Sequence, residues 1–124
     1  MEMLLKEFYS VVHSEKIENE FVTEIRINKD HAIYDGHFPG LPVTPGVILM
    51  QLFKEEAERQ TNRKLQLKKA SNVKFMAVVD PNTDDHFFLY SEIFQEQDVV
   101  KLKGIAKHKG NISLKISSEY KIVI

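Results

Sequence analysis

The most regular pattern in the chain is an alternation of apolar and polar residues. It has the two-residue period of a β-strand with one buried face. Its longest run, Ile112–Ile124, is nearly unbroken, and shorter runs cover residues 21–27, 72–79, 86–94 and 99–107. Residues 80–85 are rich in Asp, Asn, Pro and Thr and predict a turn, and residues 108–111 predict a hairpin.

Two other stretches have helical spacing. The first is N-terminal, where the apolar residues Leu4, Leu5, Phe8, Val11 and Val12 predict a short amphipathic helix. The second follows Pro45 and is apolar on nearly every side as far as Phe53, then mostly charged. We expect Thr44 to cap this helix and Pro45 to be its first residue. We also expect its first half to be buried and its second half to enter water.

Strands that gather after one central helix predict an α+β protein with an antiparallel sheet. With 124 residues, 43% of them hydrophobic, the chain is of the size of one domain, and we assign residues 1–124 to it.

The composition excludes several kinds of chemistry. The chain has no cysteine, so disulfides and thiolate ligands are excluded. Its net charge is −1, with 17 basic and 18 acidic residues, which favours neither nucleic acid nor an anionic membrane as a partner. The first residues lack a signal-peptide pattern, and we expect a cytoplasmic protein. His31 and His37 have no third ligand at metal spacing, so we expect no metal. Gly40 and Gly46 enclose five residues and no lysine follows Gly46, which disfavours a nucleotide site, and we expect no cofactor.

Charge is uneven along the chain, however. A basic cluster lies between residues 59 and 69 and contains no acid; its members are Arg59, Arg63, Lys64, Lys68 and Lys69. Such a cluster is either a solvated surface or a docking site for an acidic partner.

The segment with the strongest chemical signature is Gly36–Gly46, which reads G-H-F-P-G-L-P-V-T-P-G. Proline fixes φ and glycine permits close backbone approach, so this segment predicts a rigid loop that holds His37 beside the start of the helix. Free amides at a helix N-terminus attract negative charge, and we expect them at Gly46, Val47 and Ile48.

This motif, with the helix that follows it and Asn72–Phe75, resembles the signature of the β-hydroxyacyl-acyl carrier protein dehydratases. The resemblance covers most of the chain from about Val22. It implies a hotdog fold, in which an antiparallel sheet wraps around a central helix. It also implies that the protein dehydrates β-hydroxyacyl thioesters to trans-2-enoyl thioesters in fatty-acid, polyene or polyketide-type synthesis.

The resemblance also assigns roles to residues. His37 is the general base, Gly46 binds the thioester carbonyl through its amide, and Gln51 occupies the position of the family's catalytic acid. The residues expected to contact substrate are Phe38, Pro39, Gly40 and Val47. Because an amide cannot donate a catalytic proton, we expect Gln51 to hold the β-hydroxyl while His37 moves the proton.

Partners and alternatives follow from the same resemblance. It implies an acyl carrier protein as the carrier of the substrate, and at least a homodimer in which His37 faces Gln51 of the other subunit. A catalytically silent acyl-binding or scaffolding subunit is the first alternative, because the acid is replaced by its amide. An acyl thioesterase is the second, with Glu55 as the only nearby carboxylate.

Overall fold

The computed structural model describes residue 5, residues 7–35 and residues 43–123. These residues form one α-helix, one short 3-10 helix at Ala32–Asp35 and six strands. The α-helix, α1, spans Gly46–Thr61. The strands are β1 (Tyr9–Ile17), β2 (Glu20–Ile27), β3 (Leu65–Phe75), β4 (His86–Glu96), β5 (Val99–His108) and β6 (Asn111–Ile122).

All six strands belong to one sheet, in the order β1-β2-β4-β5-β6-β3. Every neighbouring pair is antiparallel. The chain leaves β2, passes through α1 and re-enters the sheet at the opposite edge, where β3 pairs with β6. The predicted α+β class with an antiparallel sheet is therefore confirmed.

The core lies between α1 and one face of the sheet. Helix residues Leu52 and Phe53 are fully buried against strand residues such as Phe87, Leu89 and Leu102. Gly104 on β5 allows this close approach, because a Cβ atom there would lie 2.5 Å from the Phe53 ring. The helix therefore packs almost directly on the β5 backbone.

Four strands, β2, β4, β5 and β6, lie where the alternation predicts them, with ends that differ by one to a few residues. The remaining predicted strand, β3, begins at Leu65 and ends at Phe75, earlier at both ends than the predicted 72–79. Asn72 has a positive φ of 52°, and the register with β6 shifts between Ser71 and Lys74. These irregularities break the two-residue period, so the alternation in the sequence did not predict the first part of the strand.

The predicted N-terminal helix is wrong over the described residues. Residues 9–17 form β1, which pairs with β2 as a hairpin, and Val11 and Val12 are exposed rather than turned to the core. The helical spacing rested on a few apolar residues, and pairing with the amphipathic strand β2 outweighs so short a pattern.

Two predictions about α1 are also wrong. The helix begins at Gly46 with Pro45 in the capping position, and Thr44 makes no capping hydrogen bond. The second half of the helix does not enter water, since Glu55, Glu56 and Glu58 are all buried. Each of these carboxylates accepts hydrogen bonds from neighbouring groups, which is the condition for burying a charged side chain.

Candidate active site

The first turn of α1 presents two backbone amides that have no acceptor in the described part of the chain. The carbonyl oxygen of Pro45 accepts from Ile48 N at 3.0 Å and from Leu49 N at 3.3 Å. The free donors are therefore Gly46 and Val47, and the expectation that Ile48 is also free is wrong. Such amides, at the positive end of the helix dipole, suit an oxygen that gains negative charge.

Gly46 lies under an aromatic ring. A Cβ atom at this position would lie 2.7 Å from both Cε1 and Cζ of Phe75. Glycine is therefore needed here for the close contact between the start of α1 and the end of β3.

A cavity of about 210 Å³ lies between α1 and strands β3 and β6, beside this helix end. It is lined by Val47, Met50, Gln51, Lys54, Leu67, Ile116 and Tyr120. Val47 and Gln51 are one helical turn apart, so the helix presents both to the same cavity. Two of the predicted site residues, Val47 and Gln51, thus line one cavity, whereas Gly46 lines a separate one beside Phe75.

The Gln51 side chain is held by a buried carboxylate. Gln51 Nε2 donates to Glu55 Oε2 at 3.0 Å, and Glu55 is 0% exposed. The same Oε2 accepts from Leu5 N at 3.0 Å, and Oε1 accepts from the Tyr9 hydroxyl at 2.9 Å. The Glu55 carboxylate is therefore enclosed by three donors and turned away from solvent.

Tyr9 links this carboxylate to a second buried group. Its hydroxyl donates to Glu55 and accepts from Arg59 Nη1, and the Arg59 guanidinium also binds Glu56, with Nη2 at 2.8 Å from Oε1. Burial raises the pKa of Tyr9 well above its usual value, and the Glu55 charge acts in the same direction while Arg59 opposes it. Tyr9 is therefore a neutral hydrogen-bond donor at physiological pH.

The sequence contained only part of this network. Gln51, Glu55 and Arg59 are spaced four residues apart and so share one face of the helix, which is a signal that the sequence offers. Tyr9 carries no such signal, because only the pairing of β1 with β2 brings it against α1.

Four predicted site residues, His37, Phe38, Pro39 and Gly40, lie outside the described residues. Their roles remain predictions. The described residues on either side of this segment are joined to each other, because the hydroxyl oxygens of Tyr34 and Thr44 lie 2.8 Å apart. Thr44 N also donates to the carbonyl oxygen of Val79 at 3.0 Å.

No group of three or more His, Asp or Glu side chains in the described ranges is placed to hold a metal ion. No helix among these residues is long and apolar enough to cross a bilayer.

Solved structures with the same fold were found, at low sequence identity. A chain of the dehydratase heterocomplex ApeI:P from Xenorhabdus doucetiae has a TM-score of 0.72 and 15% identity, and the match covers 90% of this chain and 96% of that one. A sigma28-regulated virulence protein of Campylobacter jejuni has a TM-score of 0.69 and 12% identity over 98% and 88% of the two chains. A putative thioesterase of Ralstonia eutropha has a TM-score of 0.61 and 7% identity over 89% and 83%.

These matches and the observed topology confirm the predicted hotdog fold. No curated protein matches the chain. The sequence model of the ApeI-like family, described as ApeI dehydratase, matches residues 13–116, which is most of the chain. The protein therefore belongs to the ApeI-like dehydratase family.

Proposed function

We propose that the protein dehydrates β-hydroxyacyl thioesters carried by an acyl carrier protein and releases trans-2-enoyl thioesters and water. Family membership supports a dehydratase-type activity. The observation that carries the proposal is the position of the free amides of Gly46 and Val47. They lie at the same end of α1 as the cavity that Val47 and Gln51 line.

The amide of Gly46 suits the thioester carbonyl. When a base removes the α-proton, negative charge grows on the carbonyl oxygen, and a preorganised N–H at a helix N-terminus stabilises that charge. The Phe75 ring fills the space beside Gly46 that a Cβ atom would need, so this ring forms a wall next to the amide. His37 is the proposed base, because an imidazole titrates near neutral pH and can both accept and return a proton.

Gln51 suits the β-hydroxyl. Its amide retains hydrogen-bonding capacity beyond the bond to Glu55, because the NH2 group carries two hydrogens and the carbonyl oxygen accepts. In the proposed reaction the Cα–H bond breaks, the Cα=Cβ bond forms and the Cβ–O bond breaks. His37 carries the proton from the α-carbon to the leaving hydroxyl, which departs as water.

We propose that the active protein is at least a homodimer, with His37 of one subunit facing Gln51 of the other. Strand β3 supports this, because it pairs with β6 alone within the described chain and is exposed along most of its length. Large apolar side chains are exposed on or near it, namely Val47 (72% exposed), Leu67, Phe75, Met76 and Val78 (68%). The related ApeI:P assembly is a heterocomplex, so native mass spectrometry must test a mixed assembly as well. A monomer at micromolar concentration would contradict the proposal.

We also propose that part of the basic cluster docks the acidic carrier protein. Arg63, Lys64, Lys68 and Lys69 are exposed, whereas Arg59 is committed to Glu56 and Tyr9. Reversing charge at Lys64, Lys68 and Lys69 should weaken carrier-protein binding, most strongly at low salt. Unchanged affinity at low salt would reject this surface.

A silent acyl-binding subunit is the second candidate, and the sequence resemblance that assigns Gln51 to the catalytic-acid position favours it. The thioesterase has less support. Its only candidate carboxylate, Glu55, is fully buried and already accepts three hydrogen bonds, so it is not placed to activate water.

The deciding experiment is turnover of a β-hydroxyacyl-carrier-protein thioester, followed in both directions by mass spectrometry. We expect the wild type to form the enoyl product and His37→Ala to lose that activity. Binding of the acyl carrier protein without turnover would instead support the silent subunit, and release of the free acid would support a thioesterase.

A further inference from the structure

The orientation of the Gln51 side chain is set by Glu55, which lies one turn further along the helix. A glutamine amide has a donor end and an acceptor end of nearly the same shape, so either end can face a pocket unless a partner decides. An ionised carboxylate only accepts hydrogen bonds. Glu55 Oε2 therefore takes an N–H of Gln51, at 3.0 Å, and the Gln51 carbonyl oxygen must point elsewhere.

Glu55 is itself held in place. The Leu5 amide and the Tyr9 hydroxyl bind its two oxygens, and Tyr9 receives a hydrogen bond from Arg59. Glu55 and Tyr9 are both buried, at 0% and 9% exposure. A side chain fixed by several buried hydrogen bonds has little rotational freedom left, so the orientation of Gln51 is fixed in turn.

We propose that Glu55, anchored by Tyr9, is a positioning residue that fixes the Gln51 amide at the cavity. The carbonyl oxygen and one N–H of Gln51 are then directed away from Glu55. This inference rests on the proposed function, in which Gln51 holds the β-hydroxyl of the substrate. It assigns to strand β1 a part in supporting the site, although β1 lies at the far edge of the sheet from β3.

The hydrogen bond between Gln51 and Glu55 also determines the effect of replacing Gln51 by glutamate. In Gln51→Glu, the new carboxyl would lie at hydrogen-bond distance from the Glu55 carboxylate, and two such groups cannot both ionise there without strong repulsion. The exchange Gln51→Glu/Glu55→Gln avoids this conflict. It keeps the hydrogen bond between the two side chains with its roles reversed, removes the acceptor of the Leu5 amide, and places a carboxyl at position 51.

The test compares the wild-type protein with Glu55→Gln, Tyr9→Phe and the exchanged double variant. Glu58→Gln is the matched control: it also replaces a buried carboxylate of α1, which accepts from Leu65 N at 3.0 Å and has no hydrogen bond to Gln51 among the described residues. The first readout needs no substrate. It is the side-chain amide signal of Gln51 in a ¹H–¹⁵N spectrum, with its solvent exchange and heteronuclear NOE.

We expect slow exchange and a rigid NOE at the Gln51 amide in the wild type and in Glu58→Gln. Both properties should be weakened in Glu55→Gln, where an amide that can donate as well as accept no longer dictates which end of Gln51 it binds, and also in Tyr9→Phe. Identical Gln51 signals in the wild type and Glu55→Gln would overturn the proposal. This result is independent of turnover, so it is separate from any failure of the proposed function.

The second readout is kinetic. Loss of one fixed hydrogen bond corresponds to a fall in kcat of about three- to tenfold, and we expect this in Glu55→Gln and Tyr9→Phe with KM nearly unchanged. The exchanged variant should regain the lost kcat and acquire an acidic limb in its pH profile. An equal loss of kcat in Glu58→Gln would show a general structural effect and overturn the positioning role.

Discussion

The hydroxyl oxygens of Tyr34 and Thr44 lie 2.8 Å apart, and the two side chains are buried at 7% and 5% exposure. This hydrogen bond joins the end of the 3-10 helix to the residue before Pro45, and so it ties together the two sides of the segment that contains His37. For the proposed role of His37 as the base, fixed ends on both sides of the segment would help to hold the imidazole in place.

Thr44→Val tests the importance of this bond. The substitution keeps the shape of the side chain but leaves the buried Tyr34 hydroxyl without its partner, which costs about 1–3 kcal/mol in the free energy of unfolding. We expect this loss in urea denaturation, together with lower dehydratase activity. Thr83→Val is the control, because its hydroxyl also makes a hydrogen bond, 2.8 Å to Asp80 O, but on an exposed turn. Equal stability of the two variants would contradict the prediction.

Glu56 should be among the most sensitive positions for stability. Its carboxylate is fully buried and accepts from Thr23 Oγ1 at 2.5 Å, from Gln60 Nε2 at 3.1 Å and from Arg59. Glu56→Ala removes all of these acceptors and leaves the half-buried Arg59 charge uncompensated, so we expect a loss of about 3 kcal/mol. Chemical denaturation measures it.

The matched control for Glu56 is an exposed ion pair. Lys101 Nζ lies 3.6 Å from Glu96 Oε2 and 3.9 Å from Glu119 Oε1, with half of the lysine side chain in solvent. Lys101→Ala should change stability by no more than about 0.5 kcal/mol, because exposed pairs are screened by water. A loss as large as that of Glu56→Ala would show that burial is not the deciding factor.

The pKa of Tyr9 predicts how stability depends on alkaline pH. Burial raises this pKa above the value of 10.0 that the residue has when unfolded, so the folded state keeps its proton at a pH where the unfolded state loses it. The stability due to Tyr9 is thus fully present below pH 10.0 and falls as pH rises above it.

We expect the free energy of unfolding of the wild type to fall as pH rises above 10. The slope should be smaller in Tyr9→Phe, and the two slopes should differ by at most about 1.4 kcal/mol per pH unit. Tyr34 and Tyr120 contribute in the same direction, since burial raises the pKa of each, so the variant retains part of the slope. Denaturation series between pH 9 and pH 11 give both slopes. Identical slopes would mean that Tyr9 ionises as easily in the folded state as in the unfolded chain.

The contact between Gly46 and Phe75 predicts a coupling between the two positions. The methyl group of Gly46→Ala would lie 2.7 Å from the Phe75 ring, which must move. We expect this variant to lose about 1 kcal/mol of stability in the wild-type background. The loss should vanish in a Phe75→Ala background, and a double-mutant cycle measures the difference. Additive effects would show that the ring does not restrict this position.

The sequence determined those elements whose pattern is local and long. The alternation in β2, β4, β5 and β6 can be recognised in the sequence because each of these strands has one face on the core and one in water. The two-residue period continues over seven or more residues. The helix after Pro45 could be predicted because its apolar residues follow a local pattern directly after a helix-start signal. The motif that begins at His37 indicated the family.

Only the tertiary structure decided which polar residues are buried. Glu55, Glu56 and Glu58 look like a solvated helix face in the sequence, because charge normally indicates exposure. They are inside because Tyr9, Thr23 and the Leu65 amide, from separate strands of the sheet, supply their hydrogen bonds. Burial of a charge depends on partners that only the fold brings together, and no local pattern records them.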